Sequence, residues 1–196
     1  MESDPPHARP FSATAGLWIR AGARVIDIAY GIILGFVAGM LAGVCLVIAD
    51  QVGVIKPGWQ DRIEGFNLLG FGLGMLGSFL YQAITEGMFG ASLGKLSCRL
   101  RVVTEEGRPI GFGRALKRSL AYYFDALFFG LVAYTFMKNS PLNQRCGDQW
   151  AHTVVVPSSE LPTGAKGSVT IFLLALLIGS ACWIFFAGLG VAIDAV

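Results

Sequence analysis

The chain has 196 residues, 54% hydrophobic and only 14% charged, with 26 glycines, a net charge of +2 and a mean hydropathy of +0.61. A soluble domain carries about a quarter charged residues, so the composition points to an integral membrane protein of one unit. Its helix-length apolar runs exclude the alternating strands of an outer-membrane barrel.

Residues 1–16 form a polar, proline-containing tail. The first apolar run, read as a helix over about 18–49, is too long for a removable signal and lacks a small-residue cleavage motif. No charged residue stands between Asp27 and Asp50, enough length at about 1.5 Å per residue to cross a core of about 30 Å. The run opens with Arg20, Arg24 and Asp27, after which Gly31, Gly35, Gly39 and Gly43 recur every fourth residue. Spacings of three, four and seven fall on one helix face, so charges and glycines are expected to form one stripe. The glycines are expected to let another helix approach closely. A carboxylate within an apolar helix costs a few kcal/mol unless it is paired or faces water. Asp27 is therefore either locked in an ion pair with Arg24 or Arg20, or a functional ion carrier.

Residues 50–65 make a short, acid-richer loop, and 66–89 a second glycine-rich span ending in Glu86. Glu86 reads as a partly solvated end residue that an antiparallel hairpin would bring toward Arg20 and Asp27. Residues 90–118 carry seven of the fifteen basic residues, Lys95, Arg99, Arg101, Arg108, Arg114, Lys117 and Arg118. Short loops rich in Lys and Arg stay in the cytoplasm, which places the N-terminus there too and predicts contact with anionic lipid headgroups. No motif or interleaved aromatics in this loop suit nucleic acid. The segment Gly90-Ala-Ser-Leu-Gly94-Lys95 is one residue short of a phosphate loop and has Leu96 where Ser or Thr would hold the metal.

Residues 100–103 read as a strand. The third apolar segment, within a helix of about 114–137, is interrupted by Asp125 and Gly130. Two echoes suggest an internal repeat: Arg118, Ala121 and Asp125 match Arg20, Ala23 and Asp27 in spacing, and Gly147-Asp148 before Val155-Val156 matches Gly94-Lys95 before Val102-Val103. If 100–103 and 153–156 are both short strands, each is the other's simplest partner. The segment between them then enters and leaves by one face, as a broken, re-entrant or interfacial element; an ordinary fourth span is the alternative. Residues 158–167 are a Pro/Gly linker and 168–194 a final span, in which Trp183 and Cys182 read as packing residues. The four scattered cysteines form no CxxC, and His7 and His152 stand alone, so neither a disulfide framework nor a metal site is expected. The fold class is thus an all-α membrane protein with three full transmembrane helices, the short third segment, and a small cytoplasmic strand pair.

Three ordered motifs resemble the RDD family of bacterial membrane proteins, named for one Arg and two Asp. They are Arg20-x-x-Ala23-x-x-Ile26-Asp27, Gly90-Ala-Ser-Leu-Gly94-Lys95 with Leu100-Arg101-Val102-Val103, and Gln144-Arg145-Cys146-Gly147-Asp148 through Val156. The resemblance covers residues 17–157, making the last span an addition, and maps the family's Arg to Arg20 and its two Asp to Asp27 and Asp148. His152 departs from the family's small or basic residue, and Arg24 is an extra base. Family membership implies a multi-pass bacterial inner-membrane protein. The family's proposed roles are transport, including sodium/proton exchange, and the scaffolding or regulation of membrane assemblies.

Two functions follow. In a small transporter, Asp27 would bind the ion or proton, Arg20 and Arg24 would tune it, and Asp148 with Asp125 or Glu86 would supply a second carboxylate. So few spans would need a homo-oligomer to enclose a path. In a scaffold, the same charges clasp the first helix to the Asp148 loop and the glycine face docks another membrane protein. No nucleophile–base pair or cofactor loop is visible, so neither an enzyme nor a bound cofactor is expected.

Overall fold

A computed structural model describes residues 11–55, 68–125, 130–162 and 167–195, without the side chains of 124, 125, 194 and 195. Among the described residues three helices are long and apolar enough to cross a membrane: α1 (Leu17–Gln51), α2 (Leu68–Phe89) and α7 (Val169–Ala195). They pack through α7. A Cβ added at Gly31 of α1 would lie 2.0 Å from the Trp183 ring, and one at Gly77 of α2 would lie 3.0 Å from the Trp183 backbone. Gly179 lies against Tyr81 and Gly190 against Gly70, so α7 runs antiparallel to α2. Gly188 lies against Ala38 and Ala42, further along both chains than Gly31 and Trp183, so α7 runs parallel to α1. The predicted packing role of Trp183 is thus central, and the helix outside the family-like core is the wedge between the other two.

The glycine stripe is a correction. The buried line on α1 is Arg20, Ala23, Asp27, Gly31, Leu34, Ala38, Ala42 and Leu46, with three-residue steps at Arg20–Ala23 and Gly31–Leu34 and four-residue steps elsewhere. A step of four over-rotates by roughly 40° on a 3.6-residue helix and a step of three under-rotates by roughly 60°, so the seam corrects itself with the short step after Gly31. Beyond that step it runs through the residues just before Gly35, Gly39 and Gly43, and among the described residues nothing approaches the Cβ positions of these glycines within 4 Å.

Around one end of this bundle fold α3 (Leu93–Ser97), β1 (Leu100–Thr104), α4 (Gly111–Asp125), α5 (Leu131–Asn139), α6 (Cys146–Trp150) and β2 (Thr153–Pro157). The two strands pair antiparallel as expected, with Val102 opposite Val155 at the centre of the ladder. The sequence echo becomes a structural repeat. In each half a five-residue helix (α3 or α6) is followed by a left-handed residue, Arg99 or His152, and then a strand. The central strand pair joins equivalent residues, which puts a local two-fold axis between them. Residues 11–16, read as part of the tail, are packed: Phe11 is buried with Val103, Val154, Val156 and Leu161, and Ala15 N–H donates to the Val155 carbonyl at 2.8 Å.

The predicted third segment is two helices. At about 1.5 Å per residue α4 is about 22 Å long and α5 about 14 Å, each short of a full crossing. Phe112 lies against Gly87, and Tyr123 Oη donates to the Met75 carbonyl at 3.1 Å, so α4 runs down the side of α2 from its C-terminal end. The last turn of α5 returns to Arg20 through Met137. Both ends of the α4–α5 pair thus lie at one end of the bundle.

Candidate functional site

Ser92 caps α3, its Oγ accepting from Lys95 N–H at 3.4 Å and donating to Asp27 Oδ2 at 2.6 Å. Gly94 N–H donates to Asp27 Oδ1 at 2.8 Å. A Cβ at Gly94 would meet the Ala23 carbonyl oxygen at 1.9 Å, so only glycine lets α3 close on α1 here. Gly90, in the left-handed region at φ 79°, offers its carbonyl to Val102 N–H at 2.7 Å and turns the chain into β1. The Gly90–Lys95 motif is therefore a seat for the Asp27 carboxylate.

Neither expected ion pair of Asp27 forms. Long side chains on a helix lean toward its N-terminus, which carries the Arg20 and Arg24 guanidinium groups away from Asp27. Arg20 Nη2 instead reaches Asp148 Oδ2 at 2.7 Å, and Nη1 donates to the Asn143 carbonyl at 3.1 Å. Arg24 lies over the Tyr122 ring, 3.9 Å from its centroid, with Nε donating to Tyr122 Oη at 2.9 Å. With its amide turned to satisfy both neighbours, Gln82 accepts from Arg24 Nη1 at 2.8 Å and donates to Glu86 Oε1 at 3.2 Å.

Glu86 is also a correction. It is buried beneath α3 and α4, paired with Lys95 and accepting from Arg118 Nε at 3.1 Å. The residue that sequence reasoning passed over is Arg118, visible only as the echo of Arg20. Its Nη1 donates to Asp148 Oδ1 and to Thr153 Oγ1, so one guanidinium joins Glu86 of α2 to Asp148 of α6. Asp148 also accepts Arg145 N–H at 3.1 Å, capping its own helix. Gly147 admits α4, since a Cβ there would lie 2.8 Å from the Ala121 Cβ. Asp125 closes α4, and its side chain lies outside what the structure describes.

Arg20, Asp27, Glu86, Lys95, Arg118 and Asp148 are all between 3% and 9% exposed. Burial opposes ionisation of Asp148, but Arg118 and then Arg20 outweigh it and hold the carboxyl well below the usual carboxylate range. Burial dominates at Lys95 and pushes its ammonium down from the usual value, against the attraction of Glu86 and Asp27. Replacing a whole buried pair by apolar groups can be neutral, but deleting one partner strands a charge and costs about 3–5 kcal/mol. The network is thus a clasp across α1, α2, α3, α4 and α6. Beside it opens a cavity of about 50 Å³, whose lining includes Arg24, Tyr122 and Arg145 as well as the clasp residues.

The predicted family residues Arg20, Asp27 and Asp148 therefore share one site, together with Lys95, Gly94 and Gly147. Three of the seven loop bases, Lys95, Arg101 and Arg118, are buried and not free to meet headgroups. The chain is similar to the "Proline-rich antigen homolog" of two Mycobacterium tuberculosis strains, 37% identical over 73 residues in each. That match covers 37% of this chain and 30% of those relatives, so it spans less than a third of their length. No solved structure matches. The RDD family matches residues 14–152, well over half of the chain and the whole of the charge network. This membrane protein belongs to the RDD family.

Proposed function

We propose that the chain is a non-catalytic scaffold or regulator in a bacterial inner membrane, with the charge clasp holding its fold and the uncovered face of α1 docking a partner helix. One observation carries this reading. Each carboxylate of the site is engaged by fixed protein donors: Asp27 by Ser92 and Gly94, Glu86 by Lys95 and Arg118, and Asp148 by Arg20, Arg118 and the Arg145 amide. A cation or proton carrier needs a carboxylate able to exchange donors, and these are closed. Among the described residues nothing lies against Gly35, Gly39 and Gly43, which suits close approach by a second copy or another membrane protein. The exposed bases Arg99, Arg108 and Lys117 favour a cytoplasmic location for the clasp and the N-terminus. Trp18, 85% exposed at the start of α1, suits the interface level. In this placement α4 and α5 form a re-entrant pair whose backbone is satisfied within each helix.

The cavity beside the clasp favours the second reading, a small transporter, including cation/proton exchange. Flux through purified full-length chain in proteoliposomes, wild type beside Asp27→Asn, separates the two. The scaffold reading expects sodium, potassium and proton fluxes no greater than in empty vesicles, and a less stable Asp27→Asn protein. Ion flux by folded wild type that vanishes in a still-folded Asp27→Asn variant would establish the transporter.

A further inference from the structure

The cavity has an unbalanced lining. Its described walls carry five cationic side chains, Arg20, Arg24, Lys95, Arg118 and Arg145, against three carboxylates, Asp27, Glu86 and Asp148. The clasp uses every carboxylate without calling on the guanidinium groups of Arg24 or Arg145. Among the described residues neither forms an ion pair. Arg24 is held by the neutral Tyr122 and Gln82, which orient it without cancelling its charge. A second, independent sign comes from Arg20, which lines the same cavity and is 3% exposed: among the described residues its buried Nε finds no acceptor. An orphaned buried N–H beside an excess of guanidinium groups suits an acceptor-rich anion.

We propose that this cavity binds a phosphate oxyanion, gripped by Arg24 and Arg145 with Tyr122 as a neutral wall. The group is either the headgroup phosphate of an anionic lipid or free inorganic phosphate. Arginine forks match phosphate oxygens in pairs, and the site's place at one end of three membrane-length helices puts it within reach of headgroups. This assignment goes beyond the scaffold reading and stands or falls separately from it, because it does not use the glycine face or the ion-exchange question.

The test uses the full-length chain and the Arg24→Gln/Arg145→Gln double variant, which leaves Arg20, Arg118 and Asp148 untouched. Thermal melting and binding are followed in nanodiscs of phosphatidylcholine alone, in phosphatidylcholine containing phosphatidylglycerol, and in phosphatidylcholine with added inorganic phosphate. Stabilisation of wild type in the phosphatidylglycerol discs identifies a headgroup, and stabilisation by inorganic phosphate a free oxyanion. In either case the double variant should bind at least about tenfold more weakly, while Lys117→Gln, an exposed base outside the cavity, should bind as wild type does. No response of wild type to either probe, or an equal response of the folded double variant, would overturn the assignment. So would a Lys117→Gln loss as large as that of the double variant.

Discussion

The two halves of the repeat share a backbone plan and carry opposite charges at the same place. Lys95 follows Gly94 in α3, and Asp148 follows Gly147 in α6. Each has a partner in its own half, Glu86 for Lys95 and Arg118 for Asp148, and the pairing also crosses between the halves. Arg20 of the first half binds Asp148 of the second, and Arg118 of the second binds Glu86 beside Lys95 of the first. These two arginine–carboxylate pairs tie the halves together. The two nodes, Lys95 and Asp148, are also unequal: two arginines hold Asp148 in its charged form, whereas burial works against the charge on Lys95.

The largest test of this asymmetry is Asp148→Ala, which strands Arg20 and leaves Arg118 with Glu86 alone. It should cost about 3–5 kcal/mol, read as a fall in unfolding midpoint in detergent. Lys95→Met should cost less, because Glu86 keeps Arg118 as its partner. The glycines rank the same way. Gly94→Ala drives a methyl to 1.9 Å from a backbone oxygen and should cost about 3 kcal/mol or prevent folding, whereas Gly147→Ala meets a side-chain methyl at 2.8 Å and should cost about 1–2 kcal/mol.

Acid provides a gentler separation of the nodes. Because the folded Asp148 carboxyl titrates below its ordinary value of 3.8, its contribution to stability is present at neutral pH. It is lost progressively as the pH falls below that ordinary value toward the folded one. The part of the melting temperature that Asp148 contributes should therefore hold from neutral pH to about pH 5 and fall as the pH drops below about 4, with a shallower drop in Asp148→Asn. The smallest effect belongs to Gly39→Ala, where no described residue lies within 4 Å. It should stay within about 0.5 kcal/mol of wild type, while Gly31→Ala, against Trp183, should not.

Much of this arrangement can be read from local patterns. Apolar length marks α1, α2 and α7, the β-branched runs at 100–103 and 153–156 mark the sheet, and the repeated Gly-charge-Val spacing marks the two halves. Long-range partner choice is different. Nothing near Arg20 in the chain points 128 residues on to Asp148, and proximity along the helix favoured Asp27 instead. Side-chain lean and the closeness of α3 to α1 decided that competition, through a backbone amide and a serine that carry no charge. Arg118 was hidden for the same reason, since its two acids come from different halves. The glycine stripe departs from the seam because the buried line takes a three-residue step from Gly31 to Leu34, which leaves Gly35, Gly39 and Gly43 one residue out of phase with it, a shift that the four-residue spacing of the glycines does not reveal.

The central claim is that Arg20 and Asp148 are energetically bound across the halves, and a double-mutant cycle on them measures this directly. Arg20→Met, Asp148→Asn and the double variant would be unfolded in the same detergent. The clasp predicts a coupling of at least about 2 kcal/mol, the double variant being much less damaged than the two single losses added together. Strictly additive losses, within about 0.3–0.5 kcal/mol, would contradict it.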